Sequence, residues 1–522
     1  MATDDRPDAM QAEVIAFLSK PASHGANVAA VDVIETHGAL VFLAGDTALK
    51  IKRAVHLAYL DFSTLAKREA VCRREIEINQ PNAPDIYRDV VAITRETDGS
   101  LAIGGAGEPV EWAVRMTRFD QDALLSKIAE RAGIDDHLAA DLARMMAVAH
   151  AAAPPRTLAD AAAHMQDMVD GIDRGLKTAA TEVAGLTDLH ARFMALAERQ
   201  LTRVAPLLQR RADAGLVRRC HGDAHLGNIM LWKGRPQLFD AIEFDEALAT
   251  IDILYDLAFL LMDLDRRGAR RAARIVLDRY LSDTGRELDL EGLAALPFFL
   301  GVRAAIRAMV AFDRARIQHG ETKPTTEQHG LETLSLAISY LDPPRARLIA
   351  VGGLSGTGKT TLARELAPLV LPVPGALHLR SDVLRKQLAG VGELDRLPAA
   401  SYTPEASAAV YRGVLERARL ALEAGHSVIV DAVFAQPEWR SAVAEIAAAA
   451  GAPFDGIWLE ASAGLMKDRV AARAGDASDA TPDVVERQLT AETGAISWHR
   501  VAATGDPAAV LAAAMRTIGI SP

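Results

Sequence analysis

The sequence predicts two parts of different fold class: an α+β part with a small antiparallel sheet and a helical region, followed by an α/β part with a parallel sheet. Three observations predict this order. Apolar and polar residues alternate in several short stretches before residue 118, and helical patterns then dominate from Asp120 to Tyr340. After a break at Pro343–Pro344, short apolar strands alternate with helices. A chain of 522 residues is also too long for one hydrophobic core, so several domains are expected.

The overall composition is that of a soluble globular protein, with 50% hydrophobic and 24% charged residues. A net charge of −11 argues against a general nucleic-acid or membrane surface. The two cysteines, Cys72 and Cys220, are too far apart for a disulfide framework or a zinc site to be expected. The acidic N-terminus "MATDDRPDAM" does not predict a signal peptide, and no uncharged apolar run reaches the roughly 18 residues of a membrane span. We therefore expect a cytoplasmic protein without a membrane segment.

The N-terminal elements follow from the alternation pattern. Residues 31–54, "VDVIETHGALVFLAGDTALKIKRA", predict a three-stranded antiparallel meander. Residues 63–78 predict a charged helix that begins at Ser63. Further alternation around Tyr87–Thr94 and Glu111–Arg118 completes a small sheet with one helix.

Residues 220–245, "CHGDAHLGNIMLWKGRPQLFDAIEFD", place several carboxylates and an asparagine around two strands and a turn. Phosphoryl transfer depends on positioning and charge neutralisation. One carboxylate accepts the hydroxyl proton, an amide oxygen and a second carboxylate hold Mg²⁺, and a lysine held by a glutamate contacts the nucleotide phosphates. The sequence supplies candidates in the order of the protein-kinase signature set: Lys50 and Glu75 for the ion pair, Asp223 for the base, and Asn228 and Asp240 for the metal.

Some of these assignments have alternatives nearby. Lys52 lies on the same strand face as Lys50, and Glu243 or Asp245 can replace Asp240 as the metal ligand. The meander has no G-x-G-x-x-G loop and only Gly38 at its first turn. Three further residues are expected to be structural: Cys220, His221 and His225. The arginine-rich run Asp265–Arg274 is expected to be a solvated helix face.

The sequence "VGGLSGTGKTT" fits the pattern G-x-x-x-x-G-K-[ST], follows an apolar strand and opens a helix. Backbone N–H groups of such a loop wrap phosphates at a helix N-terminus. Lys359 is expected to reach the β- and γ-phosphate oxygens, and the Thr360 hydroxyl to bind Mg²⁺. The predicted nucleotide-binding residues are Gly353, Ser355, Gly356, Thr357, Gly358, Lys359, Thr360 and Thr361.

Three later features bear on the chemistry of this loop. Asp382 follows the second strand, with Arg385 three residues further on, and Asp431 ends another apolar strand. Arg469 and Arg473 lie one helical turn apart before a loop that can close as a lid. A carboxylate just past the second strand lies where an acceptor hydroxyl would enter, and lid arginines can neutralise charge on the transferred group.

Two resemblances give these patterns a family context. "HGDAHLGN" resembles the catalytic loop of aminoglycoside phosphotransferases and related small-molecule kinases, and "FDAIEFDEALATIDILYDLAFL" is similar to their metal-binding segment. This likeness spans residues 35–340 and implies a bilobal kinase-like fold with nucleotide between the lobes near Arg115–Asp120. The motifs after residue 346 resemble P-loop small-molecule and polynucleotide 5′-hydroxyl kinases, including zeta-toxin-like kinases. That second resemblance implies the remaining roles: Asp382 as base, Arg385 on the acceptor, Asp431 ordering Mg²⁺ through water, and Arg469 and Arg473 acting from the lid.

The whole chain is similar to bacterial fusion proteins that join an aminoglycoside-phosphotransferase-like domain to an ATP-binding P-loop domain. The predicted domains are residues 1–340, with an N-lobe to about 116 and a C-lobe from about 117, and residues 346–522. We expect a bifunctional ATP- and Mg²⁺-dependent phosphotransferase acting on hydroxyls of sugars, aminosugars or nucleoside-like molecules. Two alternatives remain: the P-loop half is a nucleic-acid 5′-hydroxyl kinase, or one half is a nucleotide-sensing pseudo-kinase.

Overall fold

The fold is that of a computed structural model, which describes residues 9–36, 38–57, 60–318, 322–472 and 475–520. The chain forms two compact units, each made of two segments. The first unit comprises Met1–Thr157 and Gly215–Asp263, and the second comprises Leu158–Ala214 and Leu264–Pro522.

A six-stranded antiparallel sheet organises the first unit, with strand order β1-β2-β3-β8-β6-β7. The predicted meander forms β1 to β3, in which Lys50 pairs with Val41 across the ladder. A separate short hairpin joins β4 and β5. The strands are β1 (Val31–Glu35), β2 (Ala39–Ala44), β3 (Thr47–Lys52), β4 (His56–Leu57), β5 (Leu60–Asp61), β6 (Tyr87–Arg95), β7 (Leu101–Ile103) and β8 (Glu108–Thr117).

A helix packs on each face of this sheet: α1 (Ala9–Leu18) and α2 (Leu65–Asn79). Phe42 belongs to the core cluster on the α1 side, and the next residue, Leu43, belongs to the cluster on the α2 side. Successive strand residues point to opposite faces, so both faces are buried. The sequence did not predict α1, and it placed the opening of α2 at Ser63, whereas the helix begins at Leu65 after the capping residue Thr64. The hydroxyl of Thr64 caps α2 by accepting the Lys67 N–H at 3.3 Å.

Helices dominate between residues 120 and 341, with two short strand pairs: the predicted hairpin β10–β11, and the unpredicted pair β9–β12. Helices α5, α6 and α9 to α12 belong to the second unit. In chain order the elements are α3 (Leu125–Ala132), α4 (Asp136–Ala152), α5 (Ala161–Ala180), α6 (Leu186–Asp213), β9 (Val217–Arg219), β10 (Ile229–Trp232), β11 (Arg235–Leu238), α7 (Glu246–Ala249), β12 (Thr250–Asp252), α8 (Ile253–Arg266), α9 (Arg270–Thr284), α10 (Glu287–Gly292), α11 (Leu296–Ile317) and α12 (Thr322–Leu341).

One helical stretch within the described residues, Glu287–Arg316, is long and apolar enough to cross a membrane by length and composition alone. In the structure, 67% of its most apolar window is buried inside the protein. This burial is the pattern of a core helix, and α11 packs against α12 and α5 in the second unit.

A five-stranded parallel sheet organises the C-terminal part, with strand order β14-β15-β13-β16-β17. The predicted alternation of short apolar strands with helices is present in β13 to β16, and β17 is an additional strand that the pattern did not indicate. The elements are β13 (Leu348–Gly352), α13 (Lys359–Leu366), β14 (Leu377–Arg380), α14 (Ser381–Leu388), α15 (Pro404–Glu423), β15 (Val428–Asp431), α16 (Pro437–Ala449), β16 (Phe454–Glu460), α17 (Ala463–Ala471), α18 (Pro482–Leu489), β17 (His499–Ala502) and α19 (Pro507–Thr517).

Helix α9 lies beside β14, which is the edge strand of this sheet. The His378 N–H donates to the Asp278 carboxylate at 3.4 Å, and Arg271 pairs with Glu365 at 2.7 Å. Arg274 is 3% exposed and pairs with Asp278 on its own helix. The expectation that this arginine-rich run is a solvated helix face is therefore wrong for Arg271 and Arg274, because Arg271 pairs with Glu365 of α13 and Arg274 is buried.

Candidate active sites

The first candidate site begins with two lysines that share one glutamate. Lys50 on β3 donates to Glu75 Oε1 at 2.8 Å, and Lys52 lies 2.6 Å from Glu75 Oε2. Glu75 is fully buried on α2, so it needs cationic partners to remain ionised. Burial lowers the pKa of Lys50, but Asp240 and Glu75 raise it well above its ordinary value, so its ammonium group stays charged. The structure thus brings together the predicted pair Lys50 and Glu75, and places the alternative Lys52 on the same carboxylate.

Asp240 follows β11 with an unusual backbone conformation, a φ of +60°. A positive φ is costly for most residues other than glycine, although aspartate adopts it more readily. Its carboxylate lies 2.5 Å from Lys50 Nζ, and its N–H donates to the Tyr87 hydroxyl. Burial raises the pKa of Asp240, but the Lys50 ammonium more than offsets this and keeps the carboxyl below its ordinary pKa. The residue after Asp240, Ala241, donates its N–H to the side-chain oxygen of Asn79 at 2.8 Å. Asn79 lies one helical turn after Glu75 on α2.

The two alternatives to Asp240 have other partners. Glu243 is 8% exposed and its Oε1 lies 2.5 Å from Lys52 Nζ. Asp245 caps α7 by accepting the N–H groups of Ala247 and Leu248. Of the three carboxylates, only Asp240 is both held by Lys50 and substantially exposed, with 41% of its side chain accessible. Asp240 is therefore the carboxylate best placed to bind a cation.

The loop between β9 and β10 carries Asp223 and Asn228. The amide Nδ2 of Asn228 donates to Asp223 Oδ2 at 2.8 Å and to the Asp223 carbonyl at 3.0 Å. This pair fixes the Asp223 carboxylate, which remains 36% exposed, and leaves the amide oxygen of Asn228 as the atom suited to a cation. The charge of Asp223 also acts on Asp240 by raising its pKa, so the two carboxylates are electrostatic neighbours.

The same loop is anchored by a residue that the sequence reading did not single out. Asp256 on α8 is 1% exposed and accepts the backbone N–H groups of His221 and Gly222 at 3.2 and 2.9 Å. His221 contacts the Phe239 carbonyl through Nε2 at 2.9 Å and accepts the Asp223 N–H at Nδ1. Burial lowers the pKa of His221, which favours the neutral ring that this bonding requires. His221 is therefore placed as a structural link between the loop and the Asp240 segment.

The second candidate site is the loop between β13 and α13. Gly353, Gly356 and Gly358 have φ values of +138°, +84° and +91°. A Cβ at Gly353 would lie 2.7 Å from the Leu459 carbonyl oxygen, and one at Gly356 would collide with the Met466 carbonyl. Glycine is therefore required for this backbone path. The loop ends at Lys359, the first residue of α13, so backbone N–H groups at a helix N-terminus face the position of an anion.

Polar side chains close the loop on itself. Lys359 Nζ donates to the Leu354 carbonyl at 3.1 Å, and the Thr357 hydroxyl donates to the same carbonyl at 2.8 Å. The Ser355 N–H donates to Gln488 of α18 at 2.8 Å. Thr361 is exposed in the first turn of α13. Lys359 therefore lies over the loop that the sequence assigns to phosphate binding.

Thr360 and Asp431 meet at the carboxyl end of the sheet. The Thr360 hydroxyl donates to Asp431 Oδ2 at 2.6 Å, and His378 Nε2 lies 3.4 Å from the same oxygen. Burial raises the pKa of Asp431, but His378, Lys359 and Arg380 more than offset this and lower it to about 2. An ionised carboxylate beside a hydroxyl is a donor set that fits Mg²⁺, which prefers oxygen ligands.

The predicted acceptor-side residues lie on α14. Asp382 is in the first turn of this helix, where burial and the Asp431 carboxylate raise its pKa. A carboxylate with a raised pKa is better matched to accepting a proton near neutral pH. Arg385 donates to the Ser401 carbonyl at 2.6 Å, and its guanidinium lies 4.8 Å from the centre of the Tyr402 ring. Asp382 and Arg385 thus share one short helix, and Arg385 is held against the separate segment that contains Ser401 and Tyr402.

Of the two predicted lid arginines, Arg469 and Arg473, the structure describes only Arg469. Arg469 on α17 lies 3.5 Å from the Thr357 carbonyl, so it reaches the phosphate loop. Arg473 lies outside the described residues. The loop after it contacts the acceptor side: Asp476 pairs with Arg380 at 3.0 Å, and Asp479 pairs with the buried Lys386 at 2.6 Å.

Several residues of this second site were missed by the sequence reading. His378 and Arg380 alternate on β14 in "ALHLRS", and both act on Asp431. Their alternation on an otherwise apolar strand was the available signal, because polar residues facing a parallel sheet's helices need partners. Lys386 and Asp479 gave no such signal, since they are 93 residues apart and meet only in the fold.

One protein family and several known proteins resemble this chain in sequence. The model of a family described as an AAA domain matches residues 348–493. The uncharacterized protein Rv2004c of Mycobacterium tuberculosis (strain ATCC 25618 / H37Rv) is 32% identical over 487 residues, which cover 91% of this chain and 93% of the relative. The uncharacterized protein Mb2027c of Mycobacterium bovis (strain ATCC BAA-935 / AF2122/97) matches with the same identity and coverage.

Solved structures resemble each part separately. The choline kinase of Cryptosporidium parvum Iowa II matches with a TM-score of 0.40 and 13% identity, covering 64% of this chain and 99% of that chain. Aminoglycoside 2′-phosphotransferase-IIIa matches with a TM-score of 0.38 and 15% identity over 63% of this chain and 99% of that chain. A sugar kinase from Janibacter sp. HTCC2649 matches with a TM-score of 0.27 and 22% identity over 34% of this chain and 96% of that chain.

The predicted order of folds is confirmed by the two sheets described above and by the family match over residues 348–493.

Proposed function

The chain belongs to the family of the mycobacterial protein Rv2004c, and from this premise we propose that it is an ATP- and Mg²⁺-dependent phosphotransferase with two nucleotide centres. The observation that carries the proposal is the completeness of each residue set. A lysine, a buried glutamate and two carboxylates on separate loops lie in the first unit, and a P-loop with its own carboxylates lies in the second.

In the N-terminal centre, the Asp223 carboxylate accepts the proton of the acceptor hydroxyl, because Asn228 holds it in place and it remains accessible. Lys50, held by Glu75, contacts the nucleotide phosphates, and Asn228 and Asp240 hold Mg²⁺. When bound, the metal neutralises charge on the transferred phosphoryl group.

In the C-terminal centre, the backbone of Gly353–Thr361 cradles the phosphates and Lys359 contacts them. Thr360 and Asp431 hold Mg²⁺, and Asp382 accepts the hydroxyl proton. Arg385 orients the acceptor, and Arg469 neutralises charge from above the phosphate loop. Arg473 is proposed to assist from the lid.

The acceptors are small molecules with hydroxyl groups, of the sugar, aminosugar or nucleoside-like class. The net charge of −11 supports small acceptors over nucleic acids, whose binding draws mainly on neutralising phosphates with Lys and Arg.

A substrate screen tests the proposal. Labelled ATP is supplied with a panel of sugars, aminosugars, nucleosides and RNA 5′-hydroxyl ends to the wild-type chain, to Asp223→Asn and to Lys359→Ala. We expect each variant to lose phosphorylation of a different acceptor. Labelling of RNA ends alone, with a steep dependence on salt, would instead favour a nucleic-acid 5′-hydroxyl kinase. Nucleotide binding without transfer to any acceptor in one centre would favour a sensing role for that centre.

A further inference from the structure

Five charged side chains form one cluster in the N-terminal centre. Glu75 lies between two lysines, with Oε1 2.8 Å from Lys50 Nζ and Oε2 2.6 Å from Lys52 Nζ. Each lysine has a second carboxylate at 2.5 Å, Asp240 for Lys50 and Glu243 for Lys52. The cluster thus contains two ion pairs that link β3 to the segment after β11. We call Lys50–Asp240 the exposed link and Lys52–Glu243 the buried link.

The two links differ in their access to solvent. Lys50 and Asp240 have 11% and 41% of their side chains exposed, whereas Lys52 and Glu243 have only 2% and 8% exposed. Burial lowers the pKa of Lys52, but Glu243 and Glu75 raise it above its ordinary value, so the buried link is an ion pair. Lys52 is enclosed by two carboxylates and the Phe62 ring, which leaves it poorly placed to reach a nucleotide.

The exposed link must open for the proposed reaction to occur. Lys50 cannot bind nucleotide phosphates, and Asp240 cannot bind Mg²⁺, while the two are fully engaged with each other. Once this link opens, Asp240 loses its cationic partner, although it retains a backbone φ of +60° that is costly for a residue with a side chain. Something other than Lys50 must then hold the Asp240 segment in register.

We propose that Lys52 and Glu243 are positioning residues that hold the metal-binding Asp240 against β3 when Lys50 turns to the nucleotide. This inference rests on the proposed function of the N-terminal centre. Glu243 lies three residues after Asp240, and Lys52 lies two residues after Lys50, so the buried link runs beside the exposed one. Two backbone bonds assist it, from the Asp240 N–H to Tyr87 and from the Ala241 N–H to Asn79.

The link should act on the metal more than on the chemical step. Residues that support metal ligands typically contribute about 10–100-fold to metal affinity. The cluster has two lysines and three carboxylates, so it carries one net negative charge, which favours a divalent cation at its exposed side. Lys52 and Glu243 are not among the residues proposed to contact the acceptor hydroxyl, so substituting them should change kcat little once the metal site is saturated.

Mn²⁺ binding measured by electron paramagnetic resonance tests this inference independently of turnover. The chain carries Lys359→Ala to disable the P-loop centre, and a non-hydrolysable ATP analogue is present. We expect Lys52→Met, and the double variant Lys52→Met/Glu243→Gln, to raise the Mn²⁺ dissociation constant about 10–100-fold. Glu243→Gln alone should have a smaller effect, because a glutamine oxygen still accepts from Lys52. At saturating Mg²⁺, kcat of the N-terminal reaction should stay close to that of the parent chain.

Arg68→Met is the matched control. Arg68 is also a buried cation on α2, and it pairs with the fully buried Glu111 at 2.9 Å without touching the Asp240 segment. We expect this variant to lower the melting temperature without changing Mn²⁺ affinity.

An unchanged Mn²⁺ dissociation constant in folded Lys52→Met would overturn the positioning role, and so would an equal loss of affinity in Arg68→Met. If the parent chain itself binds no Mn²⁺ with the ATP analogue, the proposed function of the N-terminal centre fails, and the positioning role fails with it.

Discussion

At the scale of single residues, the carboxylate that we propose for proton transfer, Asp223, and the one that we propose for metal binding, Asp240, have different partners. Asn228 donates to Asp223, whereas Lys50 donates to Asp240, so the neighbours of each carboxylate differ in charge. A neutral amide, rather than an ammonium group, donates to Asp223 and fixes the orientation of its carboxylate. A cationic partner keeps Asp240 ionised, which is the state that a metal ligand requires.

This difference predicts that substitution of Asp223 lowers the rate of the chemical step, whereas substitution of Asp240 weakens binding. Asp223→Asn should lower kcat of the N-terminal reaction by roughly 10²–10⁴-fold with little change in nucleotide affinity, because it removes the proton acceptor. Asp240→Ala should instead weaken Mg²⁺-nucleotide binding. Steady-state kinetics and nucleotide titration on purified variants measure both quantities.

Asp135→Asn serves as the control for these variants, since Asp135 caps α4 and asparagine caps a helix equally well. Near-normal turnover in Asp223→Asn would remove Asp223 from the role of base.

Single residues also show which parts of the candidate site the sequence could predict. Lys50, Glu75, Asp223, Asn228 and Asp240 were assigned from their order along the chain, and the structure brings them together within the first unit. The partnership of Lys52 with Glu243 had no local signal, because 191 residues separate them and neither belongs to a recognised spacing. Such contacts depend on how the loops fold onto the sheet.

At the scale of elements, the phosphate loop depends on backbone space that only glycine leaves. Gly356→Ala should abolish nucleotide binding by the C-terminal centre, because its Cβ would collide with the Met466 carbonyl at a φ of +84°. Gly464→Ala is the control, since α17 leaves open space at that position and alanine favours a helix. Nucleotide titration and thermal unfolding of both variants measure the effect. Normal nucleotide binding by Gly356→Ala would show that the loop has another path.

Elements with strong burial were easier to predict than exposed ones. Strands β13 and β15 are buried at every position, and they are apolar except for Asp431 at the end of β15, so their sequences alone indicated a parallel sheet. Strand β17 has one buried residue in four, Val501, and carries the sequence "HRVA", so no pattern distinguished it from a loop. The same holds for β9 and β12, which are three residues long and gain their pairing from tertiary contacts.

The domain boundary between residues 340 and 346 remains a prediction. The contact of α9 with the edge strand β14 provides a way to test it. The core cluster beneath β13 and α13 lies entirely within residues 349–518, so we expect residues 346–522 to fold alone. Without α9, however, the edge of β14 is uncovered, and an uncovered edge strand favours self-association.

Size-exclusion chromatography with light scattering on the fragment 346–522 measures this. We expect the wild-type fragment to associate and the Leu379→Lys fragment to remain monomeric, because a charge on an edge strand opposes pairing. A fragment that does not fold would contradict the predicted boundary. A folded fragment that is monomeric without the lysine would show that α9 does not protect the edge.

At the scale of the whole molecule, each residue set belongs to one compact unit. Lys50, Glu75, Asp223, Asn228 and Asp240 all lie in the first unit, and the described residues of the P-loop set all lie in the second. Each proposed centre has a candidate phosphate-binding lysine and a candidate base of its own, so we expect neither to require a residue from the other to complete its chemistry.

We therefore predict that the two centres are chemically independent. Lys359→Ala should abolish phosphotransfer by the C-terminal centre, because it removes the ammonium that lies over the phosphate loop, and should leave the N-terminal reaction within a few-fold of normal. Asp223→Ala should give the converse result. The measurement is phosphorylation of each centre's own acceptor by the full-length chain carrying either substitution, with Gly464→Ala as a control for handling and folding. If Lys359→Ala silences both reactions while nucleotide still binds the N-terminal centre, occupancy of the P-loop gates the other site. Independence is then wrong, because the two units must share an equilibrium that nucleotide on one of them shifts.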